Sequence, residues 1–311
     1  MACSSGEGGS DLHNQPFLRD MIKDLQMIKA DMNQTAPTRT EAPVTSLMMQ
    51  RRLKATEEAL VYRMVKYSAA AYCLDLTLKT WTCKHCQDLT HVDLISVEAD
   101  VLTGGRGFIA VDHSLKSIIV TYRGSYNLRS FLVDMDFGLD DLDVGDGTRG
   151  IKVHVGFLEY AEALGQKLIP ILSDLLTLYN YTVTLTGHSL GAAAATLTSI
   201  YVNKEMGIPW SNIQLVTFGE PRTGNEAFAR WFNHQSSRNL RVVNNRDIIA
   251  HVPYSFMGYF HRKREVFISN GVMQSCISDE LEDSSCSSSK KYFLDIMDHI
   301  HYLTVTFGIL C

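Results

Sequence analysis

The sequence predicts an α/β protein with a central, mostly parallel sheet flanked by helices. Three observations predict it. From Ser117 onward, short β-branched runs alternate with longer helical patterns, the arrangement expected of parallel strands joined by helical crossovers. A G-x-S-x-G pentapeptide, Gly187-His188-Ser189-Leu190-Gly191, falls at one strand-to-helix boundary. The 311 residues are 45% hydrophobic and 20% charged, an ordinary balance for a chain able to bury a substantial core.

The elements follow in order. Residues 1–16 are rich in Gly and Ser, and Leu18, Met21, Ile22, Leu25, Ile28 and Met32 then recur at the spacing of an amphipathic helix. A turn-rich stretch around Pro37 and Pro43 leads to a dibasic pair, Arg51-Arg52, and then to a helical pattern over Leu53–Ala71. Composition shifts at that pair, so residues 1–52 are expected to be a pro-like segment and 53–311 the main domain. An N-terminal helix packed on the body is the alternative. Beyond it, Ile118–Tyr122, Thr182–Thr186, Ile213–Phe218 and Leu240–Val243 read as strands. Residues 157–178 and Ala192–Val202 read as helices.

Charge and cysteines narrow the function. With 29 basic and 34 acidic residues the net charge is −5, without the basic excess of a nucleic-acid-binding surface. The run Arg262-Lys263-Arg264 reads as a solvated strand edge. No run approaches the roughly 20 apolar residues of a membrane span. The residues Met1–Gly6 lack the apolar core of a secretion signal, so a secreted form would have lost its signal already. Of seven cysteines, Cys3, Cys73, Cys83, Cys86, Cys276, Cys286 and Cys311, six can pair, as in an oxidised, extracytosolic protein. Zinc at Cys83-Lys84-His85-Cys86 is the competing reading, but it lacks a second close cysteine pair. No metal or cofactor is expected. The sequons at Asn33 and Asn180 are common chance patterns.

The pentapeptide carries the chemistry. A serine between two glycines at a strand end suits a sharp, strained turn that presents its hydroxyl above the sheet, at the positive end of the next helix. Ser189 is the candidate nucleophile. Such a hydroxyl needs a histidine base and a carboxylate to orient it, which in this chain order follow the serine. Asp247, just after the strand Leu240–Val243, is the candidate acid. The base is one of His234, His251, His261, His299 or His301; the residues alone do not separate His299 from His301. Between Ser125 and Gly138, Leu128, Phe131, Leu132 and Met135 form an apolar stripe at i, i+3, i+4, i+7 spacing.

From about Tyr67 to Cys311 these motifs, in this order, resemble the filamentous-fungus triacylglycerol lipases, the class 3 lipases of the α/β-hydrolase fold. The resemblance runs through Ser68–Cys73, Trp81–Cys86, Tyr122-Arg123-Gly124-Ser125, Lys152–Phe157, Thr186–Gly191, Phe218–Asn225, Arg246-Asp247-Ile248 and Asp298-His299-Ile300-His301-Tyr302. It implies His299 as the base, three residues before a tyrosine, and supports Asp247 as the acid. It implies Ser125 and Leu190 as oxyanion donors and Tyr72, Phe137, Ile249 and Ile300 as acyl-pocket lining. Disulfides Cys73–Cys311, Cys83–Cys86 and Cys276–Cys286 are also implied. So is a mobile helical lid over about 126–136, carrying Leu128, Phe131, Leu132, Asp134 and Met135, with Asp134 helping to hold Ser125. Two positions depart from the family: Ala192 stands where a second glycine is common, and Phe131 where the lid often has tryptophan.

The function so implied is a secreted, extracellular lipase acting on triglyceride or another lipid ester at an oil–water interface. The N-terminal helix would cover the lid or site. Phospholipid or feruloyl esters on the same scaffold, and a non-catalytic lipid-binding relative, are the alternatives. The intact set Ser189, Asp247 and His299 argues against the last.

Overall fold

A computed structural model describes residues 50–128, 132, 136–236, 238–276, 278, 280–290 and 294–308. All belong to one compact unit, Val44–Cys311. The expected N-terminal amphipathic helix, Phe131, Asp134, Met135 and Cys311 lie outside the described residues.

In chain order the strands of the main sheet are β1 (Gln50–Arg52), β2 (Val92–Ala99), β3 (Arg106–Asp112) and β4 (Ser117–Tyr122). The small strands β5 (Leu139–Asp141) and β6 (Lys152–His154) come next, then β7 (Thr182–His188) and β8 (Ile213–Phe218). They are followed by β9 (Gly224–Asn225), β10 (Asn239–Asn244), β11 (Tyr259–Phe260), β12 (Glu265–Ser269) and β13 (Val272–Cys276). The main sheet runs β1-β13-β12-β10-β8-β7-β4-β3-β2, and β11-β9-β6-β5 make a second, smaller sheet. Its centre, β4-β7-β8-β10-β12, is parallel. Both flanks are antiparallel: β3 and β2 on one side, β13 and β1 on the other. The mostly parallel sheet is the one the alternating pattern predicts.

Side-chain alternation builds the layers. Along β4, Ile118, Val120 and Tyr122 enter one buried cluster and Ile119 enters the other. The first cluster is capped by α3 (Val155–Leu178), α4 (Leu190–Lys204) and α5 (Glu226–Gln235), through Leu164, Leu168, Ala193, Leu197 and Phe232. The second is capped by α1 (Ala55–Ala70), through Val61, Met64 and Val65. α2 (Asp75–Lys79) contributes Leu78 to it. Burial on both faces explains why the central strands read as near-continuous apolar runs.

The dibasic pair lies within the sheet: Arg51 is paired with Ser275 and Arg52 with Gln274. Cys83–Cys86 and Cys276–Cys286 are disulfides, which removes both thiolates that the zinc reading needs. Cys73 is also disulfide-bonded.

One sequence reading is corrected. Arg262 is not part of a solvated edge; it is 2% exposed. Its guanidinium bonds Glu220 Oε2 at 2.7 Å, Thr217 Oγ1 at 2.7 Å and Asn239 Oδ1 at 2.6 Å. Glu220 is equally buried and also accepts from the hydroxyls of Thr196, Thr217 and Thr223. A buried charge survives only when paired and hydrogen-bonded, and this pair has both. Lys263 is half-buried and Arg264 exposed, so the solvated reading holds only for the end of the run.

Burial also sets an acid limit on stability. His261 is buried, with Nε2 2.7 Å from the Ala250 carbonyl. Burial first, then the charges of Arg241 and Arg222, hold its pKa well below the usual 6.5. Because the folded pKa is depressed, the neutral ring's contribution is complete above about pH 6.5. It is lost as pH falls from there toward the folded pKa, by about 1.4 kcal/mol per pH unit at most. His261→Gln keeps a donor but cannot titrate. Its urea-unfolding free energy is expected to fall less steeply between pH 6.5 and 5 than that of the wild type. Equal slopes would refute this.

Candidate active site

β7 ends at His188 and α4 begins at Leu190, leaving Ser189 alone to make the turn. Its backbone has φ 61° and ψ −130°, a region costly for a non-glycine residue and typical of functional sites. The flanking glycines are required by contact. A Cβ on Gly187 would lie 2.2 Å from the Gly191 carbonyl oxygen, and one on Gly191 would lie 2.3 Å from that of Tyr122. Leu190 opens α4, so its N–H is among the four without an intrahelical acceptor. Ala192, where the family often has glycine, is buried in α4 without disturbing it.

Asp247 follows β10 and is completely buried. Its carboxylate accepts from the Ile249 and Ala250 N–H groups at 2.8 and 3.3 Å and from the Tyr302 hydroxyl. His299 Nδ1 lies 2.9 Å from both carboxylate oxygens. Burial is the largest influence on Asp247 and pushes its pKa up. The charge and hydrogen bond of His299, with the Tyr302 and Ile249 bonds, outweigh it and hold the carboxyl below its ordinary value. The carboxylate is therefore ionised and fixed, and His299 Nδ1 carries a proton toward it. In the neutral ring Nε2 is then the acceptor nitrogen. His299 Nε2 and Ser189 Oγ are both buried, and neither has a hydrogen-bond partner among the described residues. The His188 ring, beside Ser189 in the chain, lies 4.3 Å from the His299 ring between centroids, which brings the serine turn and this histidine into one site.

The structure separates the histidines that the sequence left open. His299 sits in α6 (Ile296–Ile300) at 0% exposure. His301, in the short strand β14 (His301–Tyr302), is exposed, with Nδ1 3.0 Å from the Thr306 hydroxyl. His251 is occupied by the carbonyls of Asp247 and Ser287, and His234 is exposed. Ile249 is buried and braces Asp247 through its N–H. Phe137 and Ile300 are half-buried, and the Phe137 carbonyl accepts from the Tyr259 hydroxyl. Ser125 is half-buried on the loop after β4; Leu128 and Leu132 are helical and half-buried.

Three features escaped sequence reasoning. Tyr302 bonds Asp247 directly; its place in the D-H-x-x-Y pattern was the available signal. Gly219 lies against the Asp247–His299 pair: with φ +55°, its Cβ would fall 2.6 Å from Asp247 Oδ2 and 2.8 Å from His299 Nδ1. A brace aligns α6 with the Asp247 turn, the Asn244 side chain donating to the carbonyls of Asp298 and His301 at 3.0 and 2.7 Å. The Asp298 carboxylate accepts from the Arg246 N–H in return. A cavity of about 320 Å³ lies elsewhere, lined by residues that include Arg52, Lys54, Lys263 and Arg264.

The sheet order, strained serine turn and buried His–Asp pair define an α/β-hydrolase. Comparison with known proteins places it more narrowly. The sequence model of the family described as Lipase (class 3) matches residues 119–257. The lipase of Rhizomucor miehei is 33% identical over 248 residues, covering 78% of this chain and 67% of that protein. Secreted mono- and diacylglycerol lipase 1 of Fusarium solani is 31% identical over 228 residues, 70% of this chain and 66% of the relative. The solved structure of the Rhizomucor miehei lipase propeptide complex superposes with a TM-score of 0.78 at 30% identity, covering 88% of this chain and 87% of that one. The chain thus spans about two thirds of the length of its curated relatives. It belongs to the class 3 lipase family and is a carboxylic ester hydrolase.

Proposed function

We propose that the protein is a secreted triacylglycerol lipase working through Ser189, His299 and Asp247. The observation that carries the reading is the pair of buried, unpartnered atoms Ser189 Oγ and His299 Nε2, with the ring held from behind by Asp247. His299 Nε2 takes the Ser189 proton as Oγ attacks the ester carbonyl carbon. The carbonyl oxygen becomes an oxyanion held by N–H donors at Leu190 and Ser125. His299 passes its proton to the departing alcohol, leaving an acyl-serine. Water then loses a proton to His299, attacks the acyl carbon, and the fatty acid leaves as Ser189 regains its proton. Asp247 stabilises the imidazolium in each half. Secretion is supported by the disulfides and by the Fusarium relative, which is a secreted lipase.

Ser189 and His299 are both 0% exposed. Substrate therefore reaches them only after part of the chain moves. Residues 126–136, directly after Ser125, are the lid in this reading, their apolar stripe meeting lipid when it swings out. Residues 1–52 are an inhibitory pro-segment, a reading supported by the propeptide complex of the Rhizomucor lipase.

Hydrolysis of a short-chain triglyceride titrated through its solubility limit tests the proposal. The rate is expected to jump when emulsion forms, more so after cleavage behind Arg52. A smooth saturation curve would remove the lid from the account, and identical curves before and after cleavage would remove the pro-segment.

A further inference from the structure

The residue between Gly187 and Ser189 has no role in the mechanism above, yet its side chain is tied to the catalytic base. His188 is 1% exposed, its ring stacked on Phe307 at 3.7 Å between centroids and 8° between planes. His188 Nε2 lies 2.9 Å from the backbone carbonyl of His299, and Nδ1 lies 2.8 Å from the Tyr72 hydroxyl. The same hydroxyl accepts from the Gly124 N–H at 3.0 Å. Gly124 immediately precedes Ser125.

Donor and acceptor rules give this chain one direction. A carbonyl only accepts, so His188 Nε2 carries the hydrogen bonded to His299. Burial, and then the nearby charge of His299, hold the His188 pKa well below 6.5. The ring is neutral, and Nδ1 is an acceptor. Tyr72 must therefore donate to it, leaving the phenolic oxygen to accept from Gly124. Every group in the chain is satisfied, and each bond fixes the sense of the next. The convergence is tight: a Cβ on Gly124 would lie 2.3 Å from the Tyr72 hydroxyl and 2.8 Å from Ser189 Cβ. Tyr72 is 4% exposed and its hydroxyl is fully engaged. It thus acts through Gly124 and His188 rather than by offering a polar contact to an acyl chain.

We infer that Tyr72 and His188 are positioning residues that join the loop bearing Ser125 to the backbone of the base His299, so that both keep one register about Ser189. The inference rests on the hydrolase mechanism proposed above. Neither residue hydrogen-bonds Ser189 Oγ or His299 Nε2, although the His188 ring also packs on the His299 ring, 4.3 Å between centroids. Their contribution is to hold the oxyanion donor and the proton acceptor at a common distance from the nucleophile, where small misplacements reduce rates steeply.

The test is steady-state hydrolysis of a soluble short-chain ester, which bypasses any interface, by the full chain and its variants. Tyr72→Phe and His188→Leu are each expected to lower kcat about tenfold or more, with KM within about twofold, because positioning is expressed in the transition state. His188→Gln, which can still donate to the His299 carbonyl, is expected to fall between His188→Leu and the wild type. The double variant Tyr72→Phe/His188→Leu is expected to be no slower than His188→Leu alone, as members of one chain are not additive. Leu164→Ala, in the opposite layer, controls for destabilisation: its melting temperature falls but kcat does not. Wild-type kcat in both single variants, multiplicative losses in the double, or a loss confined to KM would each overturn the inference. If the wild type itself hydrolyses nothing, the hydrolase mechanism falls and this inference with it. If it hydrolyses, Ser189→Ala is inactive and the Tyr72 and His188 variants match the wild type, only this inference falls.

Discussion

Replacing Ser189 with alanine is expected to lower kcat by about a millionfold, with fold and melting temperature unchanged. The magnitude is that of removing the nucleophile from a serine–histidine–carboxylate set, the role proposed for Ser189. Losing His299 is expected to be equally severe, because an unassisted serine hydroxyl is a poor nucleophile. Asp247→Asn should be milder, about ten-thousandfold. An asparagine can donate to Nδ1 and so favour the wrong tautomer, yet serine and imidazole stay in place. Asp247 also accepts from the Ile249 and Ala250 N–H groups, so this variant should lose some stability, whereas Ser189→Ala should not. Relief of the positive φ at Ser189 is not gained by alanine, which has the same Cβ. A covalent serine probe gives the independent check. It should label the wild type at Ser189 and fail on Ser189→Ala. A wild-type chain that takes no label would be a lipid-binding relative rather than a hydrolase.

Replacing Arg262 with leucine is expected to destabilise the protein by about 3–5 kcal/mol, the usual result of leaving one member of a buried ion pair without its partner. Glu220 would then be an uncompensated charge beneath α4, still near Thr196, Thr217 and Thr223 but without a cation. The melting temperature should drop by roughly 10 °C. The paired replacement Glu220→Leu/Arg262→Leu separates the cost of an orphaned charge from the worth of the pair. It is expected to be more stable than Arg262→Leu, because desolvation of both charges is removed together. A double variant less stable than either single one would mean that the ion pair itself is strongly stabilising. Thermal unfolding of the three variants decides this.

Much of the fold was legible because its signals are local. The runs Ile118–Tyr122 and Ile213–Phe218 are apolar on both faces, so they read as strands without reference to anything distant. The long amphipathic pattern of α3 and the Ala-rich α4 read as helices for the same reason. The antiparallel flanks were not legible. β2 is only half-buried and carries a register shift near Ser96, which blurs the period-two signal on which strand reading depends. β12 has an apolar run of only three residues, Val266-Phe267-Ile268, and β13 mixes polar and apolar residues with uneven burial, so pairing there is set by neighbouring strands rather than by propensity. Arg262 was misread for a related reason: a charge run looks the same in sequence whether or not a carboxylate 42 residues away reaches into it.

The strained turn at Ser189 was fixed by the sequence alone, because a serine between glycines at a strand end admits few other backbones. So were the strand–helix order and the candidacy of Asp247 after β10. Tertiary structure decided what depends on distance between remote residues. It placed His299, rather than its near neighbour His301, against Asp247. It buried Arg262 on Glu220, and it brought Tyr72 to His188 across 116 positions of sequence. The physical reason is common to all three. Backbone conformation is governed by each residue and its immediate neighbours, but a hydrogen bond or ion pair exists only where two separate segments meet. That meeting is settled by the packing of the whole sheet.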